Sequence, residues 1–101
     1  MASEGYHEPV SELPNEARDF HRAVVSLMEE LEAVDWYNQR VQACHDEDLK
    51  AILAHNRDEE MEHAAMVLEW LRRSNGHLDE QLREYLFSDK PLKDIVRHES
   101  D

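Results

Sequence analysis

The pentapeptide "CHDED", residues 44–48, is a short polar interruption between two stretches that each run on without proline or glycine. What flanks it decides the fold. The first amides of a helix have no partner within it, so Asp46 or Asp48 is expected to cap the helix that follows. Upstream, Pro14 followed by Glu16 and Asp19 opens a helix with acid at its positive end, and this helix is expected to run to about Ala43. Within it Phe20, Val24, Leu27, Leu31, Val34, Asn38 and Val41 recur at alternating steps of four and three. That spacing belongs to side-by-side helix packing and is broken only at Asn38. Downstream, "LKAILAHNRDEEMEHAAMVLEWLRR" continues to about Arg73, with Arg72 and Arg73 at its negative end. Two helices of about 26 to 30 residues joined by a tight turn must lie antiparallel.

The rest of the chain is arranged around this hairpin. Residues 1–13 lack periodicity and carry Gly5 and Pro9, which reads as a flexible arm. Gly76 is expected to end the second helix or its extension. A short third helix follows over "HLDEQLREYLF", with Leu78, Leu82, Tyr85 and Leu86 on one side. Residues 14–87 therefore form the helical body. Residues 88–101 form a short turn begun by Pro91, with Leu92, Ile95 and Val96, and a frayed acidic end "HESD". A chain of 101 residues holds one domain at most. A two-helix hairpin has a sided apolar surface and no enclosed core. Covering that surface with a second copy gives an all-α four-helix bundle by homodimerisation, the simplest closed solution.

Composition narrows the partners. Eleven Lys plus Arg against twenty-four Asp plus Glu give a formal net charge of -13. Such a surface repels nucleic acid and anionic lipid and attracts cations. No apolar run approaches the ~20 residues that cross a bilayer, and the acidic start "MASEGYHEPV" is unlike a secretory leader. The single cysteine, Cys44, has no internal partner, which suits a reducing, cytoplasmic compartment and a half-buried place between helices.

The chemistry lies in which carboxylates face inward. At about 100° per residue, Leu49, Leu53, Asn56, Glu60, Val67 and Leu71 fall within roughly 40° of one direction, with Ala64 at its edge. Glu60 is thus in the middle of an apolar stripe. His63 is one turn on and about 60° round, facing the same groove, whereas Glu62 points about 160° away and Glu59, about 100° off, is ambiguous. His55, about 140° from Glu60, reads as a surface histidine. On the first helix Glu30 stands three after Leu27 and four before Val34, and Tyr37 repeats its direction. Glu29, Glu32 and Trp36 share the reverse face with Val25.

A carboxylate in an apolar seam is costly unless it takes up a proton or finds a cation. Glu60 and His63 have the helical Glu-x-x-His spacing that lets oxygen and nitrogen converge on one ion. The motif alone is weak, since a chain with fifteen Glu and seven His produces it by chance, as Glu4 and His7 do in the arm. Placement separates the two occurrences, because only Glu60 interrupts a regular stripe. A hydrogen-bond network without metal is the plainer alternative, as is Tyr37 serving as a core aromatic with a satisfied hydroxyl. Stoichiometry sharpens the metal reading. A di-iron carboxylate bundle takes a Glu from each of two helices and Glu-x-x-His from each of the other two. One chain supplies half of that set, Glu30 with Glu60 and His63; two copies supply all of it. Mixed oxygen and nitrogen donors favour iron, manganese or zinc.

In "VVSLMEELEAVDWYNQRV", residues 24–41, and "DLKAILAHNRDEEMEHAAM", residues 48–66, the chain resembles the encapsulated ferritins. The likeness spans roughly residues 20–87 and is most specific in "MEELEAVDWY" and "AHNRDEEMEHAAM". It implies a ferritin-like ferroxidase whose dimer completes the bundle and whose dimers form a ring-shaped decamer inside an encapsulin shell. It implies ferroxidase ligands at Glu30, Glu60 and His63, with Tyr37 beside them and Trp36 nearby. It further implies an outer metal-uptake site at Glu29 and Glu32, with calcium associated with the assembly interface. Asp35 is expected to join these in attracting cations. Members carry a C-terminal peptide that docks to the shell, for which "RHESD" after Val96 offers no counterpart; either that peptide has been trimmed or targeting works otherwise. The leading expectation is oxidation of ferrous to ferric iron by dioxygen or peroxide, supplying mineral storage in the shell. A peroxide-consuming di-iron or di-manganese enzyme and a non-enzymatic acidic scaffold fastened by zinc are the alternatives.

Overall fold

A computed structural model describes residues 5–98, with side chains through Val96. Glu4 of the second Glu-x-x-His and the last residues of "HESD" lie outside the described residues. Among the described residues the chain is all-α, with four α-helices and no strand: α1 Asn15–Ala43, α2 Glu47–Ser74, α3 Gly76–Tyr85 and α4 Leu92–His98. None of them is long and apolar enough to cross a membrane. A short 3-10 turn, Val10–Glu12, stands within the stretch read as an arm. It is tied to α1 by Arg18, whose Nη2 donates to the Val10 carbonyl at 2.6 Å. The Tyr6 ring lies 4.2 Å from that of His21.

The chain divides into two compact units, Met1–Leu71 and Arg72–Asp101. In the first, Pro14 occupies the N-cap of α1 with extended backbone. Of the two candidate caps in "CHDED", Asp46 is the one used: its Oδ1 accepts from the Leu49 amide at 2.9 Å. Cys44 is half-buried at the turn, its Sγ donating to the Asp46 carbonyl at 3.5 Å. Two cross-helix contacts show that α1 and α2 run antiparallel, since Arg57 meets Asn38 and His63 meets Glu30. The apolar residues deeply buried in the described chain are Val41, Ala64 and Leu71. Leu31, Ile52 and Met66 are each more than half exposed. A single hairpin can bury only the seam between its helices, and the outer sides of both stripes stay uncovered.

In the second unit the end of α2 corrects the expectation placed on Gly76. Gly76 is the first residue of α3 and has no left-handed backbone. The break is made by Asn75, whose side chain accepts from the Leu78 amide at 2.8 Å and so competes with helix continuation. Removing this cap by Asn75→Ala should cost about 1 kcal/mol of unfolding free energy, read by urea titration. Asp79 in the first turn of α3 is gripped by Arg72 and Arg83, the latter at 2.9 and 3.1 Å. These guanidinium hydrogen bonds, Arg72 first, hold its carboxyl below the ordinary 3.8. A lowered folded pKa contributes stability above the unfolded value that is lost as pH falls through the folded one. Asp79→Asn should therefore lower the melting temperature at pH 7 and match the parent in strong acid; parallel melting profiles across that range would rule the brace out. Beyond α3, Phe87 has φ 59° and is fully exposed.

Candidate metal centre

Glu30 lies near the middle of α1, and Glu60 and His63 lie one turn apart near the middle of α2. Helix periodicity puts Glu60 and His63 on one side, and the antiparallel seam brings Glu30 opposite. His63 Nδ1 is 3.6 Å from Glu30 Oε2 and 3.5 Å from Glu60 Oε2. One donor atom from each of the three lies within 4.8 Å of the others, the only such cluster of three or more His, Cys, Asp or Glu among the described residues. The two carboxylates are about three-quarters covered, at 26% and 25% exposed. His63 is more open at 45%.

The electrostatics follow from that crowding. The Glu30 carboxyl is raised above its ordinary 4.5, first by the hydrogen bond it shares with Glu60, then by desolvation and by the negative charge of Glu60. His63 opposes these effects. Two carboxylates this close favour proton uptake at Glu30, and a bound cation would relieve the same repulsion. Two oxygens and one imidazole nitrogen suit a first-row divalent ion, and the donor set fits such an ion chemically. Three side chains fill only part of a tetrahedral or octahedral shell, so one chain leaves coordination positions open.

The other residues singled out by sequence occupy varied settings. Tyr37 is half-buried, with the Arg40 guanidinium 4.9 Å above its ring. Trp36 is 48% exposed. Glu29 is exposed and Glu32 half-exposed, and the described chain brings neither into a three-donor cluster. Asp35 accepts from Gln39 Nε2 at 3.1 Å. Glu59, ambiguous by angle, turns outward to His55 at 2.8 Å. Sequence reasoning missed the contact between Arg57 and Asn38. The available signal was Asn38 itself, the one polar break in the α1 stripe.

Residues 5–89 match the family model described as EncFtn-like. The chain belongs to the EncFtn-like family. Over 95 residues, 94% of its length, this EncFtn-like chain is 62% identical to a ferritin-like protein of Thermotoga maritima, covering 83% of that protein. It is 60% identical over the same length to an encapsulated ferritin-like protein of Rhodospirillum rubrum, covering 68% of it. The EncFtn-like fold also superposes on a crystal structure of a protein from Nitrosomonas europaea with a TM-score of 0.83 and 67% identity. That match covers 86% of this chain and 96% of the other.

Proposed function

We propose that this EncFtn-like protein is a ferroxidase whose substrate, ferrous iron, binds in pairs between two copies of the chain. The observation that carries the reading is the convergence of Glu30, Glu60 and His63, with Glu30 pushed toward its protonated form. A site that repels its own second negative charge is stabilised by a divalent cation. The family supplies the precedent: the Rhodospirillum relative is described as an encapsulated ferritin-like protein.

Two chains related by a two-fold axis bring together the ligands of a di-iron carboxylate bundle and cover apolar surface that one chain leaves open. The two requirements are independent and are met by the same pairing. Glu30 and Glu60 bind and neutralise the two ferrous ions, while His63 supplies a neutral nitrogen to each. Dioxygen takes one electron from each ion; with two protons it leaves as hydrogen peroxide, and two ferric ions remain. Peroxide can serve as the acceptor instead. Tyr37 stands beside the site, and Trp36, Glu29, Glu32 and Asp35 form an outer approach where calcium also binds. Zinc or manganese can replace iron in the donor set. The assembly in this reading is a ring-shaped decamer built from five dimers, held in the cytoplasm within an encapsulin shell that stores the product iron.

Anaerobic loading with ferrous iron followed by air tests the reaction. The expected result is oxidation of two irons per pair of chains. Zinc bound by a stable dimer, with iron left ferrous, would instead favour a scaffold. The outer approach has its own test. Glu32→Ala should slow initial iron uptake several-fold in stopped-flow measurements while final occupancy stays unchanged; parent-like initial rates would remove Glu32 from the path.

A further inference from the structure

The turn of the hairpin controls only its own end. At about 1.5 Å per residue, Glu30 and Glu60 each lie roughly 20 Å along their helices from that turn. A slide of half a turn, about 2.7 Å, would part Glu30 from its partners on α2. Deeply buried apolar contacts are sparse, with Val41 near the turn and Ala64 and Leu71 toward the other end. Apolar contacts are also non-directional, so they tolerate sliding.

One directional contact crosses the seam between Val41 and the donor cluster. Arg57 Nη1 donates to Asn38 Oδ1 at 3.0 Å across nineteen residues of sequence. Arg57 Nε is fixed in turn by Asp58 Oδ1 at 3.1 Å, and the Arg57 side chain is only 22% exposed. Arg57 stands three residues before Glu60, one turn away on the same helix, and Asn38 follows Tyr37. Asn38 is exposed and Arg57 half-buried, so a slipped alignment would exchange this charge-assisted hydrogen bond for water, and the native register is favoured by the difference.

We propose that Asn38 and Arg57 are positioning residues, their hydrogen bond locking α1 against α2 so that Glu30 meets Glu60 and His63. This rests on the metal-site reading above. The donors themselves do not touch the lock. It acts by holding the backbone that presents them, and its loss should appear as weakened metal binding without unfolding.

The test uses the full chain and Zn(II), which needs no oxidant, titrated calorimetrically, with thermal unfolding of the metal-free chain alongside. The paired variant N38L/R57M replaces the lock by apolar contact. It should keep its helicity and melt within a few degrees of the parent, yet bind Zn(II) about tenfold or more weaker. N38D retains an acceptor for Arg57 and should restore parent affinity. Should the paired variant fail to fold, N38A is read in the same way, with the same loss expected. Parent-like Zn(II) affinity in either folded variant overturns the proposal, as does a lowered melting temperature with unchanged affinity. If the parent binds no Zn(II), or binds it equally well after Glu60→Ala, the metal-site reading itself fails and this inference falls with it.

Discussion

Glu60→Ala should abolish ferrous oxidation and reduce divalent-metal affinity more than about a hundredfold. Altering the hydrogen-bond partners of metal ligands already costs about 10–100-fold, and Glu60 would be a direct donor in the proposed site. It is 25% exposed, 3.5 Å from His63, and the first cause of the raised Glu30 carboxyl. Its removal leaves Glu30 and His63 as a two-donor fragment. The same loss is expected for His63→Ala, which removes the nitrogen and leaves two carboxylates to repel each other. His77→Ala, at an 80% exposed position, serves as the control and should behave as the parent. Calorimetric titration under anaerobic conditions measures the affinity, and a single-turnover reaction with air measures the oxidation. Retention of both in Glu60→Ala would remove the site.

Glu30→Gln should make the metal-free protein more stable at neutral pH and the metal-loaded protein less so. The sign follows from the raised Glu30 carboxyl. A group with a raised folded pKa contributes stability that is fully present below the unfolded value and is lost as pH rises through the folded value. As pH rises through the folded value the parent loses that contribution. Glutamine carries no charge at any pH and still offers a hydrogen bond to Glu60, so the variant does not suffer the loss. Its advantage in melting temperature should shrink as pH falls toward 4 and the parent's carboxyl becomes protonated. With metal the order reverses. Ligand at a hundred times its dissociation constant stabilises the folded state by about 2.7 kcal/mol, which corresponds to roughly 10 °C or more for a domain of this size. The variant lacks most of that gain. Equal melting temperatures without metal at pH 7, or equal rises on adding Zn(II), would contradict the prediction.

Glu30 therefore illustrates a site maintained at the expense of the resting fold. The apolar seam would be better served by a neutral residue, and in the proposed site a cation between the two carboxylates would relieve their repulsion. This also explains how much the sequence could disclose. The hairpin was legible because Pro14 and Asp46 are local signals and because a period near 3.6 needs no tertiary information. The meeting of Glu30, Glu60 and His63 was legible because charged residues inside a periodic stripe are conspicuous. The start of α3 was not, since Asn75 and Gly76 both punctuate helices and only the hydrogen bond from Leu78 to Asn75 distinguishes a new cap from a terminator. Glu59 was ambiguous by angle and was settled by its contact with His55. The lock between Asn38 and Arg57 depends on registry between two helices, which no single-helix pattern contains.

In the proposed dimer a second chain would cover the exposed apolar sides of the hairpin and add its own Glu30, Glu60 and His63 to the cluster. Native mass spectrometry with metal counting addresses that requirement directly. Assemblies with even numbers of chains, carrying two ions per pair and losing both ions and pairing bias after Glu60→Ala, are expected. A metal-loaded single chain, or one complete site within each isolated subunit, would contradict a centre shared between copies.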